Sequence, residues 1–75
     1  MKVKISLETF SDAMNFSNIA AHMTDDTTPV YITDNAGLRV SAKSLLGALY
    51  SMEFATIWCE CEKDIYTAIE KYVVV

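Results

Sequence analysis

The segment Val40-Ser41-Ala42-Lys43-Ser44-Leu45-Leu46-Gly47-Ala48-Leu49 changes its apolar period from two to nearly four, and that change decides the fold. Leu38 to Ser41 alternates apolar and polar residues, as a half-buried strand does. Ser44 then offers a hydroxyl to cap a helix start. Leu45, Leu46, Leu49 and Met52 form the apolar set of a short helix over Lys43 to Met52, which Gly47 weakens somewhat. A strand that passes within a few residues into a short helix sets one layer of each kind against the other.

The neighbouring segments extend this arrangement in both directions. Upstream, Asp34-Asn35-Ala36-Gly37 is a turn cluster, and Val30 and Ile32 alternate with Tyr31 and Thr33 as another strand. Before it, a polar loop from Thr24 to Thr27 closes at Pro29. A helix is expected from Ser11-Asp12, with Ala13, Phe16, Ile19, Ala20 and Met23 on one face. Lys2 to Leu7 alternates as a first strand. Downstream, Phe54 to Cys61 reads as a fourth strand, and Lys63 to Val73 as an amphipathic helix with Ile65, Ala68, Ile69, Tyr72 and Val73 in one stripe. The order is βαββαβα in a single domain, 1–75, with no linker or repeat. The expected class is α+β: an open-faced sandwich, with helices on one face of a four-stranded, mostly antiparallel sheet.

Alternation sorts the two sheet faces. Val3, Ile5, Leu7, Val30, Ile32, Leu38, Val40, Ala55, Ile57, Cys59 and Cys61 are expected to face the helices. Lys2, Lys4, Ser6, Tyr31, Thr33, Arg39, Phe54, Thr56, Trp58 and Glu60 are expected on the open face.

Composition narrows the function classes. With 52% hydrophobic residues the 75-residue chain has the material for one core. Its net charge of -4 argues against nucleic acid as a partner, since phosphate-backbone binding needs clustered Lys and Arg. No polybasic patch and no membrane-length apolar run occur, so no membrane association is expected. Met1 to Leu7 has no long apolar region and does not read as a signal peptide. Cys59 and Cys61 stand two residues apart on one strand face, where a mutual disulfide is strained and donors for a metal are too few. They read as small buried hydrophobes, and a reduced, cytoplasmic protein is expected. His22 is the sole histidine, so no Ser-His-Asp or Cys-His constellation can be assembled. The chain reads as no enzyme, with no cofactor and no metal site.

Val40 to Leu49 resembles the regulatory-serine segment of HPr, the histidine-containing phosphocarrier protein of the sugar phosphotransferase system. In that family a third strand runs into a Lys-Ser-hydrophobic-hydrophobic-Gly segment that opens a short helix, matched here by Lys43-Ser44-Leu45-Leu46-Gly47. The following strand, the acidic turn from Glu60 to Asp64 and the Ala- and Ile-bearing terminal helix are similar too. The resemblance covers the whole element order, with its specific motif confined to some ten residues. It implies an HPr-like sheet of order 1-4-2-3.

HPr proteins carry a Gly-x-His-Ala-Arg-Pro segment where the first helix begins, and this chain departs from it. Aligning Leu7-Glu8-Thr9 with the end of the first strand puts Asp12 at the histidine position, Ala13 at the alanine, Met14 at the arginine and Asn15 at the proline. His22 lies about ten residues on, roughly 15 Å along a helix. Asp12 is negative and would repel a phosphoryl donor, while Met14 supplies no cation, so phosphocarrier chemistry is not expected. Asp12 is read first as a helix-start carboxylate favoured by the dipole, with a permanent mimic of the phosphorylated state as the sharper alternative. The segment between the short helix and the fourth strand is shorter than is usual in the family and lacks its glycines.

The resemblance makes Ser44 the candidate phosphorylation site, because the matching serine of Gram-positive relatives is modified by HPr kinase and the product binds a transcriptional regulator. An ordinary N-cap is the plainer reading. Leu45, Leu46 and Leu49 match the family's docking surface, and a protein partner is expected there. With the implied strand order, Trp58 lies mid-sheet beside Tyr31 and Lys4. Tyr31, Phe54 and Trp58 then make an aromatic set on the open face, read as cross-strand pairing, as a partner or homo-oligomer surface, or as a base-stacking platform, against which the acidic charge argues. The resulting expectation is a non-catalytic, HPr-like regulatory or partner-binding protein. The rival is a small-molecule-binding module of ferredoxin-like or ACT-like type, which shares the βαββαβ order but has a sheet of order 4-1-3-2.

Overall fold

The computed structural model describes residues 1–75. Strand β1 is Lys2–Ile5, helix α1 Phe10–Met23, β2 Val30–Thr33, β3 Arg39–Ser41, α2 Leu45–Ser51, β4 Ile57–Cys61 and α3 Tyr66–Ile69, followed by a 3-10 turn over Glu70–Tyr72. The four strands form one sheet in the order β1-β4-β2-β3 with every neighbour antiparallel. This is the 1-4-2-3 order, not the 4-1-3-2 order of a ferredoxin-like sheet. No helix is long and apolar enough to cross a membrane.

Strand β4 is central. Its Ile57, Cys59 and Cys61 are buried against the helices, next to Ile5 of β1 and to Val30 and Ile32 of β2. Helix α1 covers them with Ala13, Phe16 and Ala20, and Phe16 meets Tyr72 edge-on at 5.6 Å between ring centres. The loops close by local bonds. Asp34 accepts from the backbone N–H groups of Ala36 (2.8 Å) and Leu38 (2.9 Å). Asn35 and Gly37 take the left-handed φ values, 62° and 120°, that such a turn favours. Lys63 reaches the Met23 carbonyl at 3.4 Å, at the exposed end of α1.

Four expectations need correction. The terminal helix does not run from Lys63 to Val73; one α turn over Tyr66–Ile69 and a 3-10 turn take its place, and Val73 is extended and bridges Ile5. The outer edge of β1 needs partners, which this segment supplies through Val74 N–H to the Lys4 carbonyl (2.9 Å) and Ser6 N–H to the Tyr72 carbonyl (2.8 Å). The β-branched Ile65, Thr67 and Ile69 lower the cost of giving up the helix. Strand β4 begins at Ile57, not Phe54, so Phe54, Ala55 and Thr56 lie in the approach to it. Ala55 is therefore exposed instead of facing the helices, and Leu38, at the hairpin tip, is 48% exposed. Strand β1 stops at Ile5, although Leu7 beyond it is still buried.

Gly47 has a role that its helix-breaking reputation hides. A Cβ there would lie 2.5 Å from the carbonyl oxygen of Ser41, closer than any side chain tolerates. The absence of a side chain lets α2 settle onto the end of β3. Gly47→Ala is expected to destabilise the fold by about 1–3 kcal/mol, against the usual gain from alanine in a helix, because the obstacle is backbone. Urea unfolding checks the sign: a more stable variant would mean the close approach is not needed.

Candidate functional site

Ser44 sits where the strand-to-helix passage places it, as the N-cap of α2 with an exposed side chain. Its Oγ accepts from the Gly47 N–H at 3.2 Å, and its carbonyl accepts from the Ala48 N–H at 2.9 Å. Lys43 does not assist it: its Nζ donates to the Asp25 carbonyl at 2.6 Å, tying α2 to the loop after α1.

The three leucines separate by helix face. Leu46 is 77% exposed and Leu45 39%, while Leu49 is half-buried and packs on the core. Tyr50, four residues after Leu46, is 53% exposed and extends the patch. Sequence reasoning missed it; its i, i+4 spacing from Leu46 was the available signal. Phe54 meets Tyr50 edge-on at 5.7 Å and packs on the core cluster. It belongs with α2, and so it is not on the open face.

Asp12 is engaged in folding. Helix α1 begins at Phe10, with Thr9 as N-cap, which puts Asp12 within the first turn instead of at its mouth. Thr9 Oγ1 accepts from the Asp12 N–H at 3.1 Å, and Asp12 Oδ2 accepts from the N–H groups of Thr9 (3.3 Å) and Glu8 (3.0 Å). This reciprocal capping box accounts for the carboxylate without any phosphate analogy. Met14 is 38% exposed on the same helix, and His22 sits in the last turn with Nδ1 2.6 Å from the Asn18 carbonyl.

The open face is organised in two cross-strand rows. One aligns Lys2, Glu60, Tyr31 and Ser41; the other aligns Lys4, Trp58, Thr33 and Arg39. Trp58 therefore has Lys4 beside it as expected, but Thr33 is its other direct neighbour and Tyr31 is diagonal to it. Arg39 spans the rows, its guanidinium 4.1 Å above the Tyr31 ring and 3.6 Å from Glu60. Lys2 stands 3.9 Å from Glu60 on the other side. These exposed pairs add at most about 1 kcal/mol each. Arg39 also covers one face of the Tyr31 ring.

The two cysteines are free and buried. Burial, then the neighbouring Cys61, pushes the Cys59 thiol up to about 12, so it stays protonated and unreactive in the native state. Asp25 shifts the opposite way. Hydrogen bonds from Thr28 and then Thr27 lower its carboxyl from 3.8 to about 2 as it closes the loop after α1. No three or more His, Cys, Asp or Glu side chains gather in a metal-binding arrangement. Comparison of the chain with protein-family models, with curated proteins and with solved structures finds no match.

Two outcomes are expected. Because the folded carboxyl of Asp25 titrates below its unfolded value, the stability it contributes is fully present above about pH 4 and disappears as pH falls towards 2. The stability gap between the native chain and Asp25→Asn should close over that interval in urea titrations; a gap independent of pH would refute the loop-closing role. For the thiols, a disulfide reagent at pH 8 should label denatured chain at once and native chain only at the rate of unfolding. Rapid labelling of native protein would show that β4 is not sealed.

Proposed function

We propose that the chain is a non-catalytic, HPr-like partner-binding protein related to the sugar phosphotransferase system, docking through α2 and controlled by phosphorylation of Ser44. The observation that carries this reading is the pairing, within three residues, of an exposed capping hydroxyl at Ser44 with the exposed Leu46 side chain. A phosphoryl group on Ser44 would meet the free N–H groups of the first turn of α2 and a favourable helix dipole. It would also place about two negative charges beside the leucines, changing which partner the patch accepts. The Leu45, Leu46 and Tyr50 surface supports a protein partner, since isolated exposed leucines are common but a contiguous apolar patch on a capped helix is less so.

The absence of histidine at the start of α1 supports the loss of the phosphocarrier step. Thr9 and Asp12 occupy that region, each side chain accepting from the other's backbone N–H. The open-face aromatics Tyr31 and Trp58 are a secondary candidate for self-association.

Incubation with HPr kinase and ATP should add one phosphoryl group by intact mass, and none should be added by enzyme I with phosphoenolpyruvate. The addition should vanish in Ser44→Asn, which retains a capping side chain and so tests the hydroxyl without removing the cap. Leu46→Asp should slow the addition about tenfold, the effect of removing a docking residue, with an unchanged melting temperature because the side chain is exposed. Failure of the kinase to modify the protein, or labelling at a residue other than Ser44, would overturn the proposal.

A further inference from the structure

A cleft of about 270 Å³ opens where β1 leaves the sheet beside the approach to β4. Its apolar lining includes Leu7, Met52 and Phe54, and its polar side groups are those of Lys4, Ser6 and Thr56. The β1–β4 register ends with Lys4 opposite Trp58 and Ile5 opposite Ile57, and the cleft opens just beyond it. The three donors line this one cleft together with the apolar side chains.

Lys4 is the one cation of the chain without a partner. Lys2 and Arg39 are held by Glu60, Lys43 and Lys63 by backbone carbonyls, and Lys71 lies over the Tyr72 ring. The Nζ of Lys4 makes no ion pair or hydrogen bond, and the Ser6 and Thr56 hydroxyls also donate to nothing within the chain. A cation with two adjacent hydroxyl donors matches one carboxylate, which accepts through two oxygens. A phosphate would bring more charge than one lysine balances, and the apolar floor gives it nothing. The floor instead suits a short hydrocarbon tail, in a cleft just below the usual size range of about 300–1,000 Å³ for ligand sites.

The geometry points to a binding site for a small monocarboxylic acid with a short apolar tail, its carboxylate held by Lys4, Ser6 and Thr56 and its tail against Leu7, Met52 and Phe54. The site stands at the opposite end of α2 from Ser44 and does not depend on the phosphorylation reading.

Trp58, the only tryptophan, is Lys4's cross-strand neighbour and reports on the site directly. Titration with hexanoate should change its fluorescence saturably in the millimolar range, which is what so few ligand atoms allow. Hexanol should bind at least tenfold more weakly. Lys4→Met should weaken hexanoate binding at least tenfold and Thr56→Val several-fold, both with native circular dichroism because each side chain is exposed. Lys2→Met, which removes a cation outside the cleft, should leave binding unchanged. Equal binding of hexanol and hexanoate, an unsaturable response, or undiminished binding by Lys4→Met would each overturn the assignment.

Discussion

Strand β4 holds the molecule together because both of its edges are paired and one of its faces is wholly buried. On one side it is bonded to β1, more than fifty residues earlier, and on the other to β2. Without it β1 would keep only its short contact with the Tyr72-Val73-Val74 segment, and the β2–β3 hairpin would stand alone, too small to be stable in water. The helices would also lose the floor made by Ile57, Cys59 and Cys61. These non-local pairings cost loop-closure entropy before they return any hydrogen bond, so the central strand governs the cooperativity of the whole domain.

The layer above the sheet depends on small side chains in a similar way. Helix α1 presents Ala13, Ser17 and Ala20 to the interior, and α2 presents Ala48 and Ser51. Gly47 allows α2 to touch the Ser41 carbonyl, and Ser44 closes the first turn of the helix. The Lys-Ser-Leu-Leu-Gly segment thus combines a lysine that bonds the neighbouring loop, a capping serine, two exposed leucines and a glycine required by contact. Three of its five positions, Lys43, Ser44 and Gly47, have a bonding or packing role that is visible without reference to any partner.

Much of this was legible in the residues. The period-two runs located all four strands, and the turn cluster from Asp34 to Gly37 located the hairpin. The resemblance carried by Val40 to Leu49 supplied the strand order. What escaped was set by tertiary context. Nothing local in Tyr72-Val73-Val74 shows that the edge of β1 will claim it, and its apolar stripe reads equally well as helix. Phe54 continues the alternation of β4, yet its ring is drawn to Tyr50 because the strand has not begun there. At Asp12 a family alignment put the residue where a histidine would act, whereas the Thr9-x-x-Asp12 spacing of a capping box was in plain view. The lone standing of Lys4 was invisible until the other five cations had found their partners.

The insertion of β4 between β1 and β2 also bears on synthesis. As the chain leaves the ribosome, α1 and the β2–β3 hairpin emerge first, yet neither has a sheet to rest on until the residues of β4 are clear of the exit tunnel. The apolar faces of α1 and β2 stay uncovered through that interval. The sheet can close only once β4 is available, so the domain folds late and as a unit.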